Sequence, residues 1–222
     1  MPCNIGYKNV GKITIPQPQL QEFKERIKPL EVDPELLEKI GVEDPIFIEW
    51  LGELDIVPIL KEALRRAQGY ILGSENVQSL ITKNGYLELK AKYVTAQEKS
   101  EIERLSQEIS RRFQMEVLKI VAELLDYVTV IRQEGDNIVL IGEKGQGLGV
   151  NRYLKIESNS AGQGLLRFEH FDSPKNLKSE QQKFLALAQK LGVKLCLQIT
   201  ESGGQPILHD EIHKDFLGGG AK

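Results

Sequence analysis

The sequence predicts an α+β protein made of two small sheet-plus-helix units. Three observations carry that expectation. A helical stripe of Ile102, Leu105, Ile109, Phe113, Val117, Ile120 and Leu124 steps by three or four residues, between segments whose apolar residues alternate. Residues 151–200 then read strand, strand, helix, strand. Between the two parts, residues 142–149 hold four glycines in eight positions, a linker composition. The expected organisation is an α+β domain over 1–141, a Gly-rich linker over 142–150, a second domain over 151–217 and a flexible tail over 218–222.

The elements follow in order. Ile5, Tyr7, Ile13 and Ile15 alternate with polar neighbours and predict a strand over 5–15, which Pro16 and Pro18 end. Residues 19–68 read as a helical insertion broken by prolines. Asp33-Pro34 and Asp44-Pro45 each set an N-cap before a proline at the first helical position. Leu54, Ile56, Val57, Leu60 and Leu64 form the stripe of a helix ending near Gly69. Trp50 reads as core or a cover for the core. Asn84-Gly85 is a hairpin signal between alternating runs. Thr95 and Glu98 have capping-box spacing and open a helix over 95–125. Glu101, Glu103, Arg104, Arg111 and Arg112 are expected on its solvated sides. Strands over 127–132 and 138–141 flank a turn at 134–137. In the second unit strands are expected over 153–157, 165–169 and 193–200, with a helix over 179–191 stopped by Gly192.

Composition narrows the function classes. A 41% hydrophobic and 27% charged chain can bury a core. With 29 basic and 32 acidic residues, net charge −3, it lacks the basic footprint of a general nucleic-acid binder. No apolar run reaches the roughly 20 residues of a membrane span, and Met1-Pro2-Cys3-Asn4 does not open a secretory signal. Cys3 and Cys196 offer neither a disulfide framework nor zinc spacing. A reducing cytoplasm is the expected compartment; no nucleic acid, membrane or cofactor is expected as a ligand.

Candidate chemistry is sparse. The 142–149 glycines follow a strand, as a phosphate loop would, but a strand and not a helix is expected next. His209, Asp210 and His213 form the one metal-like cluster, with two histidines at i and i+4. Glu211 is one place off a metalloprotease register and His170 is remote, so a solvated helix is the preferred reading over a weak metal site. Cys196 sits on a predicted strand with no histidine tied to it. No catalytic residue is expected.

Residues 82–141 resemble the hypothetical chloroplast reading frame thirty-five family of cyanobacteria and plastids. The resemblance rests on Asn84-Gly85-Tyr86-Leu87-Glu88-Leu89, the long helix through Phe113, Tyr127-Val128-Thr129-Val130-Ile131 and Glu134-Gly135-Asp136-Asn137-Ile138-Val139-Leu140. The chain departs from that family in lacking its amino-terminal Ser-His-Phe segment. Residues 151–200 resemble a small partner family but lack its Gly-x-x-Gly-x-x-Cys run. The resemblance implies a non-enzymatic protein working beside an AAA-class ATPase.

Two functions are expected from these readings. The strand-strand-helix-strand order of the second unit resembles the β-grasp fold of ubiquitin, and Phe216-Leu217 lead into Gly218-Gly219-Gly220. Glycine lacks a Cβ, so such a tail can thread a narrow active-site channel. The first expectation is therefore a ubiquitin-like modifier. A processing peptidase would remove the stub Ala221-Lys222, and activating and conjugating enzymes would then use the glycine tail. The second is an adaptor or scaffold for an AAA ATPase.

Overall fold

A computed structural model describes residues 21–27, 40–145, 151–159 and 164–193. Within them the fold is α+β, with four α-helices and two antiparallel sheets. The first sheet has the order β1-β3-β2, from β1 (Gln21–Ile27), β2 (Gln78–Ile81) and β3 (Leu87–Tyr93). The second is a meander of β4 (Val128–Glu134), β5 (Asn137–Lys144), β6 (Arg152–Ser158) and β7 (Gly164–Glu169). The helices are α1 (Pro45–Glu53), α2 (Ile56–Gln68), α3 (Ala96–Leu124) and α4 (Pro174–Lys190).

Local sequence explains most boundaries. Asp44 caps α1 by accepting from the Phe47 amide at 3.1 Å, with Pro45 in the first turn. Thr95 and Glu98 close the expected capping box: the Glu98 amide donates to Thr95 Oγ1 at 3.1 Å, and the Thr95 amide donates to Glu98 Oε2 at 3.1 Å. Gly85 takes φ +74° in the turn between β2 and β3, and Gly135 takes φ +59° between β4 and β5, conformations that favour glycine. α4 ends in a Schellman motif, with the Gly192 amide on Gln189 O at 2.9 Å and the Val193 amide on Ala188 O at 2.9 Å.

α3 ends the same way, but its left-handed residue is Asp126, at φ +67°. Asp126 is largely exposed, and its one ion pair among the described residues, with Lys144, is long at 4.0 Å. Asp126→Gly is expected to raise stability by about 0.5–1 kcal/mol, and Asp126→Val to lower it by about 1–2 kcal/mol. Urea unfolding of the pair checks this; equal midpoints would mean that this turn carries no strain.

α3 is the spine of the fold. It packs against α2, β3, β4, β5 and α4. The expected stripe is buried from Ile102 to Ile120, while Leu124 is half-buried. From Arg112 to Ala122 nearly every residue is buried, not one face alone, because α2, the second sheet and α4 close around this half. Arg112 therefore departs from its expected place on a solvated side: it is 8% exposed, and its partner Glu116 is 1% exposed.

Other expectations change. Residues 21–27 form a strand, not part of a helical insertion, and pair with β3 from Gln21↔Tyr93 to Ile27↔Leu87. Phe23 and Ile27 lie four apart, which is one face in a helix and also one face in a strand. α4 begins at Pro174, five residues before the expected start, capped by Ser173 accepting from the Asn176 amide. β5 runs on through Gly142 to Lys144. A Cβ on Gly142 would meet Tyr127 at 3.3 Å, so this glycine lets the tyrosine lie on the strand. The expected boundary at 142–150 falls between two paired strands: β5 and β6 match from Ile138↔Ser158 to Lys144↔Arg152. Leu140 and Leu154, from either side of it, share one hydrophobic core with Phe113 and Phe184.

β6 has β5 on one side and β7 on the other. Any strand following α4 can therefore join this sheet only at β4 or β7. The strand expected over 193–200 lies outside the described residues beyond Val193, as does the strand expected over 5–15. No helix among the described residues is long and apolar enough to cross a membrane.

Candidate functional site

The residues singled out for conjugation, Gly218, Gly219 and Gly220, lie outside the described residues, as do Ala221 and Lys222. So do His209, Asp210, His213, Cys3 and Cys196. Among the described residues no group of three or more His, Cys, Asp or Glu side chains is placed to hold a metal ion.

The described structure instead presents a cleft of about 1040 Å³ along the polar side of α3. Its floor is a helical stripe: Arg104, Gln107, Glu108, Arg111 and Gln114 step by three, one, three and three, so they share a face. One wall holds Tyr70, from the loop after α2, and Glu25 of β1. The β4–β5 hairpin adds Gln133 and Asp136 to the lining. The floor is tied to the core, because α3 is packed on several sides.

Charges in the cleft are mostly engaged. Arg104 lies between Glu101 at 2.8 Å and Glu108 at 3.1 Å. Arg112 donates to Glu116 Oε1 through Nε at 3.2 Å and Nη2 at 2.9 Å. Its guanidinium also lies 4.1 Å from the centroid of the Tyr70 ring, a cation–π contact. Tyr70 is 68% exposed, so its outer face is open while its inner face covers the buried pair.

Arg111 differs. Its Nη2 donates to the carbonyls of Asp136 and, at 2.9 Å, Ser158. That pins the guanidinium between the β4–β5 turn and the end of β6. No carboxylate among the described residues lies within ion-pair distance of it, and its Nε is buried without an acceptor. The neighbouring Ser110 hydroxyl is buried and unpartnered as well. The arrangement presents a positioned cation and amide-bearing side chains over a rigid floor; it suits recognition of a polar segment.

A second charged cluster locks α4 to the sheet. Glu180, 8% exposed at its side chain, takes Lys144 Nζ at 3.2 Å and faces Arg152 Nη1 at 3.7 Å. Tyr127 lies beside it, with Lys144 Nζ 5.6 Å from its ring centroid. Burial first, and the Glu180 carboxylate second, push the Tyr127 hydroxyl far above its ordinary value of 10.0. The hydroxyl makes no hydrogen bond of good geometry, so it is a cost in the folded state.

The sign of the pH effect follows. Folded Tyr127 stays protonated, whereas the unfolded chain ionises above about pH 10. Stability from this group is complete below that pH and is lost as pH rises, by about 1.4 kcal/mol per unit. Tyr127→Phe is expected to remove that alkaline loss and to leave stability at pH 7 unchanged or slightly raised. Denaturant unfolding at pH 8 and pH 11 measures both; parallel losses in parent and variant would contradict the assignment.

Sequence reasoning missed Tyr70, Arg112 and Glu116 as partners. One signal was present: Leu105, Ile109, Arg112 and Glu116 step by four, three and four, so the charged pair continues a buried stripe. Nothing local brings Tyr70 to Arg112; the packing of α2 on α3 does that. Compared with known proteins, the chain matches no family model, no curated protein and no solved structure.

Proposed function

We propose that the protein is a non-enzymatic adaptor that takes a segment of a partner protein into the α3 cleft. One observation carries this reading: a cleft of about 1040 Å³ stands on the packed helix α3, with polar and apolar surface side by side, and is walled by an open Tyr70 over a buried arginine. Tyrosine and arginine are enriched among residues that dominate protein interfaces. The resemblance of residues 82–141 adds the class of partner, an AAA ATPase.

The test is co-purification of an AAA-class ATPase with the tagged full chain and with Tyr70→Ala. Tyr70 is exposed, so the variant is expected to fold and to lose about 0.5–1 kcal/mol of cation–π contact. Capture is expected to fall about tenfold, as for a hot-spot residue. Equal capture by both chains contradicts the reading.

A second reading, the ubiquitin-like modifier, rests on Gly218-Gly219-Gly220. In it a peptidase removes Ala221-Lys222, and activating and conjugating enzymes join Gly220 to a target. Replacing Gly219 and Gly220 with bulky residues is expected to abolish conjugates on a blot without altering stability. A single unprocessed, unconjugated species in parent and variant alike counts against it.

A further inference from the structure

Building on the adaptor reading, we infer that the cleft recognises a mixed-charge peptide segment through one carboxylate, with Arg111 as its anchor. Three features point to this chemistry. First, Arg111 is the cation of the cleft without a carboxylate partner among the described residues: Arg104 is held by Glu101 and Glu108, and Arg112 by Glu116. Second, Arg111 is already oriented. The Asp136 and Ser158 carbonyls fix one edge of its guanidinium, so little side-chain entropy remains to be lost on binding. Third, Gln107 and Gln114 flank it on the same exposed helical face, and their amides can both donate to and accept from a peptide backbone.

The carboxylates of the cleft decide between classes of ligand. Glu25 and Asp136 face the same space, and neither is in an ion pair among the described residues. A polyanion such as nucleic acid would meet both and be repelled. A peptide with a single acidic residue flanked by lysines places its carboxylate at Arg111 and its cations toward Glu25 and Asp136. Its apolar side chains can lie on the open face of Tyr70. Charge complementarity of this kind sets specificity more than affinity, so the expected binding is weak and sharply dependent on sequence.

The probe is the peptide acetyl-Leu-Lys-Ser-Glu-Leu-Lys-amide, titrated into the full-length protein labelled with nitrogen-15. Saturable shifts are expected at the Arg111 Nε–H signal and at the Gln107 and Gln114 side-chain amides. Changing the peptide's Glu to Gln is expected to weaken binding at least about tenfold, the loss of one charge-assisted hydrogen bond. The protein variant Gln107→Glu with Gln114→Glu is expected to weaken it as much. Both positions are exposed, so the fold is kept, whereas Arg111→Gln would also release two backbone carbonyls. Equal binding of the Gln peptide, equal binding by the double variant, or no saturable shift overturns the inference. Saturation of the same signals by inorganic phosphate at the same concentration also overturns it, since the site would then be one for a phosphate-type anion. An AAA ATPase captured equally by the parent and the double variant, but lost with Tyr70→Ala, would sink this inference and leave the adaptor reading standing.

Discussion

Phe184→Ala is expected to lower the free energy of unfolding by about 3–5 kcal/mol. Phe184 is 0% exposed on the inner face of α4. Its ring meets Phe168 of β7 edge-on, with centroids 5.6 Å apart and planes at 80°. It belongs to the core that α3, α4 and the four-stranded sheet enclose. Truncation removes the largest fully buried side chain among the described residues and leaves a cavity between elements that are each held by other contacts, so little collapse can fill it. Phe184→Leu keeps most of the volume and is expected to cost about 1 kcal/mol. Urea unfolding followed by circular dichroism separates them. An alanine effect within about 0.5 kcal/mol, the range of surface substitutions, would contradict the packing of α4 on the sheet.

Glu180→Ala is expected to cost about 3 kcal/mol, the low end for breaking a buried ion pair. The substitution leaves Lys144 and Arg152 with only long contacts to the exposed Asp126, at 4.0 Å, and Asp172, at 3.8 Å; their side chains are 22% and 20% exposed, so water recovers part of the loss. Adding Lys144→Met and Arg152→Met to Glu180→Leu is expected to cost less than Glu180→Ala alone, because no unpaired charge is then left near the core. If Glu180→Ala stays within about 0.5 kcal/mol of the parent, solvent already screens the cluster and it does not hold α4 to β5 and β6.

What the sequence reveals and conceals has physical causes. Capping is read from short range, so Thr95 with Glu98 and Asp44 with Pro45 both stand where the sequence places them. The turns at Gly85 and Gly135 are legible because a positive φ favours glycine. β1 is not, since the spacing of Phe23 and Ile27 suits either period, and its pairing with distant β3 decides the matter. Ser173-Pro174 carried a helix-start signal of the same kind as Asp44-Pro45, yet the polar run of Lys175, Asn176 and Lys178 after it hides the amphipathic pattern. The glycines over 142–149 suggested a linker, but the first of them, Gly142, lies inside β5 and makes room for Tyr127.

The site was less legible than the fold. The sequence drew attention to Gly218, Gly219 and Gly220, outside the described residues. The cleft is assembled from β1, the loop after α2, α3 and the β4–β5 hairpin. Arg111 is informative only because two carbonyls from separate elements fix it, and its sequence neighbours give no sign of that. Arg112 and Glu116 were visible as continuing a buried stripe, but a charged pair at i and i+4 is ordinarily a surface feature.

The central claim, that the α3 cleft is where a partner binds, is tested most directly by placing a photo-crosslinking amino acid at Gln107 in the full-length protein in cells. Ile46, an exposed residue of α1 outside the cleft lining, serves as the control position. The account predicts one adduct from position 107, to an AAA-class ATPase, absent from position 46 and lost when Tyr70→Ala is added. No adduct from position 107 above the level at position 46, or one that persists unchanged with Tyr70→Ala, would contradict it.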